Sequence, residues 1–287
     1  MEIRAIWFMP PPIAIVAAAD GRYSEQAISI DAVRTRSSDE QFATLVTGER
    51  DAAVTAMDNV LAWNLRDGPQ DFAIIGQVET TTLLPVIARA EILSLTGLAG
   101  RNILVDAPAN GFVVALRAML ADAGIGEDGY TLIEVGGVKE RLDVLVAGQG
   151  DATLLGPPFD AMALAAGFVS LGRINDSYPA FPGQGIVVRK ETLQRQRAAL
   201  SAWLSALEAG RQSIVDKPDA ARAALAAEGF AGAAVDTMIA ACPPFSLAPD
   251  PKGVDLLLAQ RRQVGLPGGD VSYDALVDLT VLETPVA

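Results

Sequence analysis

Eight residues near the start of the chain, Leu45-Val46-Thr47-Gly48-Glu49-Arg50-Asp51-Ala52, recur as Leu145-Val146-Ala147-Gly148-Gln149-Gly150-Asp151-Ala152, an offset of 100 residues. An extended run precedes each copy, Ile28 to Val33 and Tyr130 to Val135. An apolar strand candidate follows each, Ala52 to Thr55 and Ala152 to Leu155, and stops at a loop. A βαβ plan repeated at that separation predicts two similar α/β lobes, which tend to bind ligands between them. The loops after the repeats differ: Ala56-Met57-Asp58-Asn59 against Gly156-Pro157-Pro158-Phe159-Asp160. The scaffold is duplicated and the ligand-facing chemistry is not.

At 287 residues the chain has room for two lobes, each with its own core. No uninterrupted apolar run approaches the ~18 residues that cross a bilayer, and even Ile13 to Ala19 is bounded by Pro12 and Asp20. The net charge of −13 argues against nucleic acid, whose phosphates need compensating Lys and Arg, and against docking on anionic lipid. There is no histidine and one cysteine, Cys242. That excludes His-based triads, His–carboxylate metal sites and cysteine clusters, and no cofactor or metal is expected. Without an imidazole to activate it, Cys242 reads as a small buried apolar residue.

Ile3 to Phe8 alternates and breaks at Met9-Pro10-Pro11-Pro12, since proline lacks a backbone donor. A short helix over Ile13 to Ala19 and a strand over Ile28 to Val33 follow. Ser38-Asp39-Glu40-Gln41 has the Ser-x-x-Gln form of a capping box that opens a helix carrying Phe42, Leu45 and Val46 on one face. Phe72 to Gly76 is the fourth strand, and the β-branched stretch Thr80 to Ile87 is expected to cross between lobes as a strand. Asn102 to Val105 begins the second lobe, with Asn110 as N-cap of a helix that turns Phe112, Leu116, Met119 and Leu120 toward the core. A loop from Tyr178 to Gly185 leads to a return strand, Ile186 to Arg189. The C-terminal third is helical, with Leu200, Trp203, Leu204 and Leu207 at i, i+3, i+4, i+7. Two crossings place lobe one at residues 1–83 plus 185–287, lobe two at 84–184, and the ligand cleft between them.

Ligands of such lobes meet the carboxyl ends of strands, so the loops there hold the candidates. After the first strand these are Trp7, Met9 and Pro10; strand side chains alternate, so Trp7 or Phe8 points inward, and not both. Ser38 opens the first repeated helix. Asp58 and Asn59 either cap a helix or face the cleft. Gln77 and Glu79 end the fourth strand, and Glu79 suits an amine or ring N–H. Asn110 and Gly111 offer backbone N–H groups at a helix start. Gly136 and Gly137 let a ligand approach backbone closely. Pro157, Phe159 and Asp160 form a rigid loop in which Phe159 either stacks on a planar ligand or fills the core. Lys139 and Arg141 read as a solvated helix face.

Taken in order, Pro10 to Gly21, Gly48-Glu49-Arg50-Asp51-Ala52 leading into Asp58-Asn59-Val60, Leu98 to Asp106, and Val146 to Ala152 resemble type II periplasmic substrate-binding proteins of ABC importers. The closest branch holds aliphatic-sulfonate, nitrate and taurine receptors together with thiamine-precursor (hydroxymethylpyrimidine) synthase-like proteins. The resemblance implies an α/β fold of two Rossmann-like lobes joined by two hinge strands, the Venus-flytrap arrangement. It implies a small-molecule ligand, an ABC permease as partner and a monomer. The chain departs from the synthases in lacking their histidine and cysteine-rich segment. The start carries no basic-then-apolar leader. The expected location is therefore periplasmic or extracytoplasmic if a leader was trimmed, and cytoplasmic if Met1 is the natural start. Carboxylates in the cleft favour a neutral or cationic nitrogen-containing ligand, such as a heteroaromatic ring. The competing reading is a cytoplasmic lyase, decarboxylase or hydrolase on the same scaffold, acting on a small aromatic acid.

Overall fold

Alternating and β-branched runs become strands, and the strands sort into two sheets. The structure, a computed structural model, describes residues 1–282. In chain order the strands are β1 (Glu2–Trp7), β2 (Ser29–Arg34), β3 (Ala52–Ala56), β4 (Phe72–Gln77), β5 (Pro85–Ala88), β6 (Asn102–Val105), β7 (Thr131–Glu134), β8 (Ala152–Leu154), β9 (Val169–Arg173) and β10 (Gln184–Arg189). One sheet runs β2-β1-β3-β10-β4 and the other β7-β6-β8-β5-β9. In both, three parallel strands are joined by an antiparallel fourth, β10 against β3 and β5 against β8. The chain leaves the first sheet after β4 and returns to it through β10.

The repeat in the sequence is a repeat in space. Helices Ser38–Thr47 and Val138–Val146 end at Gly48 and Gly148, with φ of 71° and 75°, a conformation that favours glycine. The aspartates that follow do one job twice. Asp51 N–H donates to the Arg4 carbonyl at 2.7 Å and its carboxylate accepts from Arg4 N–H at 3.0 Å. Asp151 N–H donates to the Asn102 carbonyl at 2.8 Å and its carboxylate accepts from Asn102 N–H at 2.8 Å. Each therefore satisfies backbone polar groups beside a neighbouring strand that would otherwise lack partners. The same offset relates Gln41 to Arg141. Gln41 donates to the Val54 carbonyl at 2.9 Å, and Arg141 to the equivalent Leu154 carbonyl at 3.3 Å.

The C-terminal helices close both lobes. Leu200, Trp203, Leu204 and Leu207 of the helix Arg197–Asp216 are fully buried, as the helical spacing requires. The helix Pro251–Gln263 packs instead against Gly111–Asp122 of the second lobe, where Gln263 donates to Asp122 at 2.6 Å. One apolar cluster runs through both lobes, from Trp63 and Phe72 to Leu98 and Leu116. No helix among the described residues is long and apolar enough to cross a membrane.

Two local expectations shift. The helix cap is Ser37, one residue early, whose side chain accepts from Asp39 N–H at 3.0 Å; Glu40 then accepts from Thr35 Oγ1 and Arg36 N–H. The run Thr80 to Ile87 is extended strand only from Pro85. Thr80 spends its N–H and hydroxyl on the Ala241 carbonyl, and Thr82 its hydroxyl on Glu79, so β-branching there serves a loop.

Asp58, two residues past β3, is fully buried and accepts from Arg261 Nη1 at 2.6 Å, while its second oxygen has no partner. Burial pushes its carboxyl up to about 6, with Arg261 opposing the shift. A carboxyl that holds its proton more tightly folded than unfolded adds most stability below its unfolded value, near 3.8, and loses that contribution as pH rises through about 6. The stability of the parent protein relative to Asp58→Asn therefore falls between about pH 4 and pH 6, read from urea unfolding midpoints. At Gly210 a Cβ would lie 2.5 Å from the Ile13 carbonyl oxygen and 2.9 Å from Ala17 Cβ. Gly210→Ala thus destabilises by about 1–3 kcal/mol in thermal melts, although alanine is the better helix former.

Candidate functional site

A cavity of about 140 Å³ lies where the carboxyl ends of β1, β4, β6 and β8 face one another. An apolar void of ~150 Å³ admits benzene, so this one suits a molecule of roughly one ring. Phe8, Met9, Pro10 and Pro12 line it from the turn after β1, and Glu79 and Thr82 from the segment after β4. Phe230 and Met238 close the same side. The other lobe contributes Asp106, Asn110 and Phe112 after β6, Val138 and Arg141 from the repeated helix, and Gly156 and Pro157 after β8. Gln184 stands at the start of the returning strand. The wall is mainly apolar and aromatic, with a few polar groups that converge on it, the usual make-up of a small-molecule site.

Each polar group is held in place. Glu79 accepts from Thr82 Oγ1 at 2.6 Å and Gln184 Nε2 at 3.2 Å, and burial pushes its carboxyl up because those neutral partners offset the desolvation only in part. Gly183 has no room for a side chain: a Cβ would sit 2.5 Å from Glu79 Cβ, so the two crossing segments touch there. Asn110 caps the helix Gly111–Asp122 by accepting from Phe112 N–H at 2.9 Å, and its Nδ2 donates to Asp106 at 3.0 Å. Arg141 is buried, donates to the Gly136 carbonyl at 2.8 Å, lies 3.7 Å from Asp106, and keeps an Nε–H without a partner. Burial raises Asp106 and lowers Arg141, and each opposes the other's shift.

Of the residues singled out from sequence, Met9, Pro10, Glu79, Asn110 and Pro157 line this cavity. The others stand elsewhere, for identifiable reasons. Trp7 packs in the first lobe's core with Trp203, and strand alternation gives the cavity Phe8. Ser38 is buried at the first turn of its helix, where its backbone opposes the rise of the Asp106 carboxyl. Asp58 is bound to Arg261, and Asn59 links Thr55 Oγ1 to Gly111 N–H across the lobes. Gly111 packs on Asp58, with 2.6 Å from a would-be Cβ to Asp58 Cβ. Gln77 braces the loop from behind: its Nε2 donates to the Glu79 carbonyl at 2.7 Å and its Oε1 accepts from Asp250 N–H at 3.0 Å. Gly136 supplies the carbonyl for Arg141, and Gly137 caps the helix. Phe159 packs on the Leu104–Leu142 cluster, and Asp160 lies in the first turn of the next helix.

Sequence reasoning left Phe8 open against Trp7, missed Thr82, Gln184, Phe230 and Met238, and placed Arg141 on a solvated face with Lys139. Lys139 does face solvent, paired with Asp143 at 2.6 Å. Arg141 was recoverable from the repeat, since its counterpart Gln41 is uncharged and falls on the inner side of an amphipathic helix. Cys242 donates its thiol to the Met238 carbonyl at 3.5 Å, and burial pushes it up to about 12, so no thiolate is available. Among the described residues no group of three or more His, Cys, Asp or Glu could hold a metal.

Several solved structures share this architecture. A protein of Bordetella bronchiseptica RB50 superposes with a TM-score of 0.82 at 14% identity, covering 98% of this chain and 95% of that one. The alkanesulfonate-binding protein SsuA of Xanthomonas axonopodis pv. citri, bound to MOPS, gives 0.75 at 16%, covering 96% and 97%. The ligand-binding component of an ABC-type import system from Staphylococcus aureus, with zinc bound, gives 0.74 at 14%, covering 98% and 97%. At these identities the likeness establishes the fold, the two-lobed one of periplasmic binding proteins. No curated protein is significantly similar in sequence. Residues 13–221, most of the chain, match the family described as NMT1/THI5 like, and the chain belongs to that family.

Proposed function

We propose that this protein is the solute-binding component of an ABC importer, and that its two lobes close on a small organic ligand. The observation that carries the reading is the cavity itself, built from both sheets at their carboxyl ends, apolar in the middle and ringed by a few fixed polar groups. Its inventory suits capture better than turnover: no histidine is present and the thiol is held protonated. The structural relatives named for alkanesulfonate binding and for ABC-type import support the same role.

We assign lobe one to residues 1–83 and 185–287 and lobe two to 84–184, with a hinge where Val78 and Glu79 N–H donate to the Gln184 carbonyl. Binding energy then shifts an open–closed equilibrium, and the closed form is what a permease partner reads. We take the working form to be a monomer outside the cytoplasm. The ligand is a nitrogen-containing molecule of roughly one ring. Phe8 and Phe112 take the stacking role first given to Phe159, and Glu79 accepts from the ligand nitrogen.

Incubation with a panel of pyrimidines, aromatic amines, aromatic carboxylates and alkyl sulfonates tests the role, followed by melting temperature and mass spectrometry of the recovered compound. A ligand at 100 times its dissociation constant adds ~2.7 kcal/mol and comes back intact. A compound recovered altered, at a rate that scales with protein, makes the chain an enzyme. An alkyl sulfonate that binds as well as any pyrimidine or aromatic amine overturns the nitrogen ligand. For the compound that binds, Phe8→Ala and Phe112→Ala weaken affinity about fivefold or more in calorimetry, and Phe159→Ala leaves it unchanged.

A further inference from the structure

The charges on the cavity wall do not balance, and the imbalance specifies the ligand further than its size does. Three formally charged side chains line the cavity: Glu79, Asp106 and Arg141. Arg141 and Asp106 oppose each other at 3.7 Å, and the Arg141 Nη groups are already held by the Gly136 and Leu154 carbonyls. Of the three guanidinium nitrogens, Nε alone has no hydrogen-bond partner. The charge of Arg141 is opposed by Asp106 and its Nη groups already serve backbone carbonyls, so it offers an added carboxylate or sulfonate little net attraction. Glu79 is different. Its partners are the Thr82 hydroxyl and the Gln184 amide, and among the described residues no Lys or Arg lies within ion-pair distance of it.

We infer that the cleft takes an organic cation, a compact apolar or aromatic body bearing an ammonium or protonated ring nitrogen that pairs with the Glu79 carboxylate. The inference rests on the reading of the cleft as a solute site and narrows it from any nitrogen-containing molecule to a charged one. A cation at Glu79 supplies the missing countercharge in a poorly solvated place, where a charge-assisted hydrogen bond is strongest. Phe8, Phe112 and Phe230 present ring surface to the same space, and aromatic faces attract cations as well as apolar bodies. An anion of equal size gains neither, because it meets an unopposed carboxylate and an arginine already neutralised.

Three probes of one shape and different charge test this: benzylammonium, benzyl alcohol and benzenesulfonate, titrated into the intact protein by calorimetry. Benzylammonium should bind at least about tenfold more tightly than either of the others. Glu79→Gln, whose amide can still meet Thr82 and Gln184, should erase that preference by weakening benzylammonium about tenfold, while Asp160→Asn keeps it. If the alcohol or the sulfonate binds the parent protein as tightly as the ammonium, the cation is overturned and the solute-binding role stands. If Glu79→Gln keeps the preference, Glu79 is not its source and the inference falls. If none of the three binds saturably at millimolar concentration, the cation again falls, and the solute-binding role is then decided by the wider panel alone.

Discussion

The joint between the lobes is the contact on which the rest of the structure depends. Just past the end of β3, Asp58 and Asn59 meet Gly111, the first residue of a helix in the other lobe. Asn59 receives the Gly111 N–H at 3.1 Å, and Gly111 has no side chain because Asp58 fills that space. Arg261, from a helix that also packs on the second lobe, neutralises Asp58 from behind. Breaking one partner of such a buried pair leaves a charge without water or counterion, which is why the set acts as a unit. With this joint fixed, the carboxyl ends of the two sheets face each other, and the cavity is the space left between them.

Duplication explains why the two faces of that cavity differ. Both lobes need the same backbone repairs, and both make them at the same places: an aspartate beside the incoming strand, a glycine at the helix end, a polar side chain on a carbonyl of the middle strand. Where the repair is done by Gln41 it adds no charge. In the second lobe Arg141 does it, so a structural task brings a cation to the cavity wall, and Asp106 answers it. The charge pattern of the cleft follows from this asymmetry: one lobe carries a self-neutralised pair and the crossing segment carries Glu79 alone.

The larger features were legible in the chain because they rest on local rules. The repeat, the period-2 and 3.6-residue runs, the Asn110 cap and the break at Pro10 to Pro12 each follow from backbone sterics or hydrogen bonding within a few residues. The site was legible only in part. Met9, Pro10, Glu79, Asn110 and Pro157 follow from the rule that ligands meet strand ends. Trp7 and Phe8 could not be separated, since alternation says that one turns inward without saying which. Phe230 and Met238 come from helices far along the chain and have no local mark.

The amino-acid sequence by itself determined that two copies of one α/β plan would form, and which loops would stand at the ends of their strands, because helix and strand formation are governed by near neighbours. Only the tertiary structure decided which polar groups were consumed as supports. Asp58, Asn59, Gln77 and Gly111 look as suited to a ligand as Glu79 does, yet partners distant in the chain, Arg261, Asp250 and each other, occupy them. A buried polar group must be satisfied by whatever packs against it, and for these residues that partner lies up to 203 positions away.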